Sequence, residues 1–168
     1  TFLMGTTEFL TAIKTDPERM HRLLQVATDY LVDWIAWQRE CFPSIDGILL
    51  LDDIVGFVSR RDFESFGLPY LKRAFDTDVS VKFFHNDAPC KAAAPLLPDA
   101  GINLLNFGVQ HTLSDMRTWT GGRLTLAGVY RADVAGVDAL ADPAGVPIGG
   151  RLILAGVYRA DVAGVDAL

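Results

Sequence analysis

Two short apolar runs that break abruptly into charged side chains constrain this chain more than any other feature. They are Gly47-Ile-Leu-Leu-Leu-Asp52-Asp53 and, further on, Val81-Lys-Phe-Phe-His85-Asn86-Asp87. A strand buried on both faces reads as a continuous apolar run rather than an alternation, and such strands belong to the parallel sheets of α/β proteins. The C-terminal ends of those strands are where α/β proteins place their chemistry. Two runs ending this way bring Asp52, Asp53, His85 and Asp87 to one rim as candidate catalytic groups, with Asn86 a candidate substrate contact. Given a strand spacing of about 4.8 Å, adjacent strands would hold Asp53 and His85 within roughly 10 Å of each other.

Around these runs helix alternates with strand. Asp16-Pro17-Glu18 opens a helix, with Asp as N-cap, Pro at the first helical position and Glu complementing the N-terminal dipole. Met20, Leu23, Leu24, Ala27, Tyr30, Leu31, Trp34 and Ile35 then recur at helical spacing, predicting a helix that stops near Pro43 and buries Tyr30, Trp34 and Trp37 by packing. A strand over Ile48–Leu51 follows. Two short helices come next, over Arg61–Phe66 and Pro69–Phe75, then a strand over Val79–Phe84. Cys90–Leu97 is a helix candidate despite Pro95; Ile102–Phe107 is a strand carrying Asn106, a second candidate substrate contact, near its end. Leu113–Trp119 reads as helix and Leu124–Ala127 as strand. Strand, helix and strand at this spacing predict right-handed βαβ units and a parallel sheet.

The chain has 168 residues and 50% hydrophobic content, enough for one compact domain and short of the roughly 250 residues a full α/β barrel takes. Twenty-one acidic against fifteen basic residues give a net charge of −6, without a Lys/Arg run, so nucleic acid is not an expected partner. Cys41 and Cys90 lie far apart, which suggests neither a disulfide framework nor a zinc finger and fits a reducing, cytoplasmic setting. Thr1-Phe-Leu-Met-Gly has no basic n-region and no long apolar run, so it is expected to be neither a signal peptide nor a membrane element. It reads instead as the interior of a longer chain.

Gly121–Leu140 recurs as Gly149–Leu168 with a single change, Thr125 to Ile153. Two copies are too few for a solenoid, which needs about three or more repeats to bury a continuous core. The repeat therefore reads as a tandem duplication. It divides the chain into an α/β domain over 1–148 and a duplicate over 149–168, the latter supplying a surrogate strand, Leu152–Ala155, and a tail.

Several motifs in order carry a resemblance: Gly5-Thr-Thr-Glu-Phe-Leu10, Asp16-Pro17-Glu18, Leu51-Asp52-Asp53-Ile-Val-Gly56, Phe66-Gly-Leu-Pro69-Tyr70-Leu-Lys72, Lys82-Phe-Phe-His85-Asn86-Asp87 and Leu124-Thr-Leu-Ala-Gly128. Together they resemble the uroporphyrinogen decarboxylase superfamily, which contains the porphyrinogen decarboxylases and the corrinoid-linked methyltransferases. The resemblance implies a (β/α)8 TIM-type barrel with parallel strands, present here as a partial barrel incomplete at both ends. It also places Asp52 and Asp53 in the active-site cleft, where the decarboxylases carry an acidic strand end followed by x-x-Gly. Asp53 departs from the hydroxyl residue common at that position. The principal catalytic aspartate and the arginines that grip substrate carboxylates belong to the family's N-terminal part, upstream of the matched motifs. In the methyltransferases the strand matching Val81–Phe84 ends in His-x-Cys, two zinc ligands. His85-Asn86-Asp87 puts a hard carboxylate where that soft thiolate stands.

Bland and functional readings compete at each position. Asp52 and Asp53 are a solvated turn or a pair whose mutual repulsion raises one pKa for acid–base work. His85 is a structural donor or a site residue, and Asp87 a strand-ending Asx-turn or a proton carrier. Arg60 with Arg61 is a solvated pair, or Arg60 is a clamp for a substrate carboxylate. His21 and His111 read as surface residues without partners. Cys90 reads as a helix start rather than a nucleophile.

Three functional readings follow from the resemblance. The first is a decarboxylase-like lyase acting on a small-molecule polycarboxylate of porphyrinogen type, which needs no cofactor because the protonated pyrrole of the substrate is the electron sink. The second is a methyltransferase module that uses zinc and a corrinoid partner. The third is an inactive half-barrel. An open parallel sheet has unpaired edges, which favours a homodimer. With no cysteine at position 87, tightly held zinc is not expected.

Overall fold

The computed structural model describes residues 3–128. In chain order it contains α1 (Thr6–Thr15), α2 (Pro17–Cys41), β1 (Gly47–Leu51), α3 (Arg60–Phe66), α4 (Leu68–Phe75), β2 (Val81–Asn86), β3 (Leu104–Phe107), α5 (Leu113–Trp119) and β4 (Thr125–Gly128). Short 3-10 segments occupy Ile54–Gly56 and Ala94–Ala100. The four strands are all parallel and stand in sequential order, β1-β2-β3-β4.

Register fixes which side chains share a face, because successive strand residues point to opposite sides. Leu50, Phe84, Leu105 and Leu126 form one row. With Ile48 and Phe107 they pack on Phe63 of α3, Phe75 of α4, Leu97 of the second 3-10 segment and Met116 of α5. The alternate row is Leu51, His85, Asn106 and Ala127. On that side Leu49 and Leu51 are exposed, and Phe83, His85, Leu104 and Asn106 are half-buried. A sheet whose strands follow one another without reversal, with the packed helical layer on one face, is an arc of a singly wound barrel. A doubly wound fold would reverse its strand order and carry helices on both faces.

Local chemistry explains most elements. The Asp16 carboxylate accepts the Arg19 N–H at 3.2 Å, and Pro17 opens α2. Ser59 and Thr112 cap α3 and α5 in the same way. The helix expected over Cys90–Leu97 is absent: a turn leads into the 3-10 segment, because Pro95 and Pro98 each remove an N–H donor. The strands predicted to begin at Val79 and Ile102 begin at Val81 and Leu104 instead. α1 was not signalled by periodicity; its two buried residues, Phe9 and Ile13, close a small second core with Met20 of α2.

The expected burial of the α2 aromatics is corrected. Tyr30, Trp34 and Trp37 are exposed and stack on one another, with ring centroids 6.5 and 5.0 Å apart. The N-terminal half of α2 carries its buried residues, Met20 and Thr28, whereas its C-terminal half runs beside β1. A groove of about 350 Å³ lies between them, with Leu31, Trp34, Ile35, Gly47 and Leu49 in its walls. Among the described residues no helix is long and apolar enough to cross a membrane. Residues 121–128 of the repeat form the turn after α5 and β4. The rest of the first copy, the boundary at 148 and the strand expected over Leu152–Ala155 lie outside the described residues.

Candidate active site

The strand ends form the site. The Asp52 N–H donates to the His85 carbonyl at 3.0 Å, carrying the β1–β2 ladder one residue beyond the strand. Asp52 is half-buried, and its carboxylate accepts the Ile54 N–H at 2.9 Å. Burial pushes the Asp52 carboxyl above its ordinary value; the Ile54 hydrogen bond opposes this and the neighbouring Asp53 charge adds to it. Asp53 is exposed, and its Oδ1 accepts the Asp87 N–H at 2.7 Å. The Asp87 Oδ2 stands 3.3 Å from His85 Nε2. Asp53, Asp87 and His85 are thus linked in sequence along one rim, as the apolar runs imply.

His85 lies opposite Asn106 in the β2–β3 register, on the face that the helices leave open. The Asn106 Nδ2 donates to the Ala127 carbonyl at 2.7 Å, which lays the amide across toward β4. Asn86 has the opposite parity. It shares its row with Phe107 and is fully buried, its Oδ1 accepting the Ala88 N–H at 2.6 Å. Its Nδ2 has no partner among the described residues. Arg60 sits exposed in the first turn of α3, where its Nε donates to Glu64 at 3.0 Å; no described contact brings it to the rim.

The turn Asp87–Cys90 is held on every side. Each of its N–H groups finds a side-chain acceptor: Asp53 for Asp87, Asn86 for Ala88, and the Nε2 of His111 for Cys90 at 2.9 Å, Pro89 having no N–H to give. The Gln110 Nε2 donates to the Asp87 carbonyl at 2.9 Å. Glycines let the neighbouring loops approach. A Cβ at Gly56 would come within 2.5 Å of Ala88 Cβ, and one at Gly108 would collide with the Asp87 carbonyl. The Gly of the acidic x-x-Gly motif therefore has a packing role against this turn.

Both histidines read as lone surface groups have partners. His21 stacks on Phe66 at 4.3 Å and shares a 2.7 Å hydrogen bond with the Tyr70 hydroxyl, tying α2 to α3 and α4. His111 serves the Cys90 turn. No local signal marks it in the sequence, since it stands four residues beyond the end of β3 and gains its role only from the neighbouring turn. Cys90 is buried, which pushes its thiol up to about 11, so it stays protonated near neutrality. His85 and Asp87 offer two donors, and among the described residues no three His, Cys, Asp or Glu side chains gather where a metal could sit. A catalytic zinc site keeps three protein ligands, one more than His85 and Asp87 supply among the described residues.

Comparison with known proteins gives a family match. The family described as uroporphyrinogen decarboxylase (URO-D) matches residues 1–133. The chain is similar to the chloroplastic uroporphyrinogen decarboxylase of Zea mays, 33% identical over 135 residues, covering 74% of this chain and 33% of the relative. It is 27% identical over 121 residues to the chloroplastic uroporphyrinogen decarboxylase 2 of rice, covering 68% and 30%. Against the uroporphyrinogen decarboxylase of Chlorobium phaeovibrioides it is 28% identical over 119 residues, covering 67% and 33%. The chain spans about a third of the length of the curated relatives it matches.

Proposed function

The chain belongs to the uroporphyrinogen decarboxylase family, and on that premise we propose that it supplies one arc of a barrel rim where carboxyl groups are removed from a porphyrinogen-type polycarboxylate in tetrapyrrole metabolism. The observation that carries the reading is the linked series Asp53, Asp87 and His85 at the ends of adjacent parallel strands. In this chemistry a pyrrole carbon is first protonated. The electron pair of the breaking C–C bond then flows into the cationic ring as carbon dioxide leaves, and the exposed methylene carbon takes up a proton while the ring gives one back. No cofactor is called for. His85, oriented by Asp87, and Asp52, whose carboxyl is raised by burial, are suited to carry those protons. Asp53 and Asn106 face the ring N–H groups and the substrate's polar rim, and Asn86 acts by holding the turn beneath them.

Anaerobic incubation of uroporphyrinogen with a chimera in which this chain replaces the matching third of a relative, followed by mass spectrometry of the oxidised porphyrins, tests this. Products with fewer carboxyl groups are expected, and unchanged substrate at stoichiometric enzyme would reject the reading. The same proposal includes a cytoplasmic setting, supported by the unpaired Cys41 and Cys90. It also includes a homodimer through the β1 edge, supported by the exposed Leu49 and Leu51 and the groove against α2. Sedimentation velocity is expected to show a dimer that Leu51→Lys weakens; a monomer at every concentration rejects that part.

A further inference from the structure

We propose that His111 is a positioning residue that latches the Asp87–Cys90 turn, and through it sets Asp87 against His85, only while its imidazole is neutral. The inference rests on the reading of His85 and Asp87 as the proton-handling pair. Its physical basis is the direction of one hydrogen bond. The Cys90 N–H can only donate, so at 2.9 Å the His111 Nε2 must be the acceptor, which fixes the neutral ring as the Nδ1–H tautomer. An imidazolium has no lone pair at Nε2. Protonation therefore does not weaken this bond by degrees; it removes the acceptor and sets a cationic N–H against the Cys90 N–H.

The consequence reaches Asp87 because the turn is short and each anchor comes from a different element. Asp53 arrives from β1, Gln110 and His111 from the loop after β3, and Asn86 from β2 itself. Pro89 has no N–H, so Cys90 is the only donor in the second half of the turn that the neighbouring loop can grip. The imidazole stands perpendicular to the Trp119 indole of α5, with ring centroids 5.0 Å apart. Of the charged groups on the elements packed here, the Lys91 ammonium lies 5.5 Å from the centre of that same indole and Asp87 stands behind Gln110, while α5 carries Asp115 in its first turn and Arg117 in its last. The Lys91 ammonium and the His111 ring thus both lie within 5.5 Å of the indole centre, so a positive charge on His111 shares its surroundings with a second cation as it loses its acceptor.

Amide hydrogen exchange read by NMR on the full chain tests the latch without needing turnover. Rates are corrected for intrinsic exchange and compared at about pH 8 and about pH 5, either side of the ordinary imidazole range. In the wild type the Cys90 and Asp87 amides should be protected at the higher pH and lose about tenfold of that protection at the lower. His111→Ala should expose both amides at either pH, while those of Phe84 and Leu105 in the sheet keep their wild-type rates. His111→Gln, whose amide oxygen can replace Nε2 as acceptor, should restore protection and abolish its pH dependence. The proposal is overturned if Asp87 keeps its protection in His111→Ala, or if Phe84 and Leu105 lose theirs in step, which would mark His111 as merely structural. Decarboxylation by the chimera, assayed alongside, separates the two claims: a latch seen by exchange beside a chimera that never turns over sinks the functional reading and leaves the latch standing.

Discussion

The Asp53 carboxylate accepts the backbone N–H of Asp87 at 2.7 Å, so a side chain leaving β1 fixes the course of the chain leaving β2. Two loops that are independent in sequence become one rim through this bond, and the carboxylate that His85 meets is placed by it. Asn at position 53 would keep an oxygen acceptor and lose the charge, whereas Ala would lose both.

Asp53→Ala is therefore expected to lower kcat for decarboxylation by about 10²-fold, with Asp53→Asn intermediate. Steady-state kinetics of the two variants check this. Equal losses would mean that the charge alone matters and the turn does not.

Asp52→Asn should raise stability while lowering activity. The Asp52 carboxyl is pushed up by burial, so the folded state holds its proton more tightly than the unfolded one. Its contribution is therefore favourable below the ordinary Asp value of 3.8 and is lost as pH rises through the elevated folded value. The neutral Asn keeps the acceptor for Ile54 and escapes that penalty, raising Tm by about 1–3 °C at neutral pH and by nothing below the ordinary Asp range. Calorimetry at both pH values reads the difference directly.

Asp62 works in the opposite sense. It is buried at the start of α3, where Lys14 of α1 reaches both carboxylate oxygens at 2.6 and 2.7 Å and the Ser59 hydroxyl donates at 2.6 Å. The Lys14 bond first, and the Ser59 hydroxyl second, hold this carboxyl below its ordinary value. Its stabilisation is present above that ordinary value and lost as pH falls through the depressed folded one. Asp62→Asn is expected to cost about 1–2 kcal/mol at neutral pH, the gap to wild type closing on strong acidification in denaturant titrations.

Gly108→Ala should be among the most damaging single-methyl changes in the chain. The added Cβ would collide with the Asp87 carbonyl and the Gln110 side chain, and only the latter can swing away. A loss of about 2 kcal/mol or more is expected from urea unfolding, together with loss of activity. A variant as stable as wild type would mean that the turn has room to move.

The sheet was legible in the sequence because its signal is strong: uninterrupted apolar runs ending in Asp52-Asp53 and His85-Asn86-Asp87, each visible without knowledge of its neighbours. α2 announced itself through Asp16-Pro17-Glu18 and its long period. What stayed hidden depended on contacts between distant segments. Tyr30, Trp34 and Trp37 have the spacing of a packed face, yet periodicity cannot say whether anything stands opposite. The proline-broken stretch after Cys90 defeated a helix whose apolar content looked adequate. His111 and Gln110 gained meaning only when β3 was set beside β2, and Asn86 turned to the covered face by the single-residue parity that separates it from His85.

In the proposed function His85 and Asp87 act together in carrying protons during carboxyl loss. Single-turnover decarboxylation of uroporphyrinogen by the wild type, His85→Gln, Asp87→Asn and the double variant tests it most directly. Each single change should slow carboxyl loss by about 10²-fold, and the double variant should be scarcely slower than either, as expected for groups that function as a unit. Rates that multiply in the double variant, or singles that match the wild type, would contradict it.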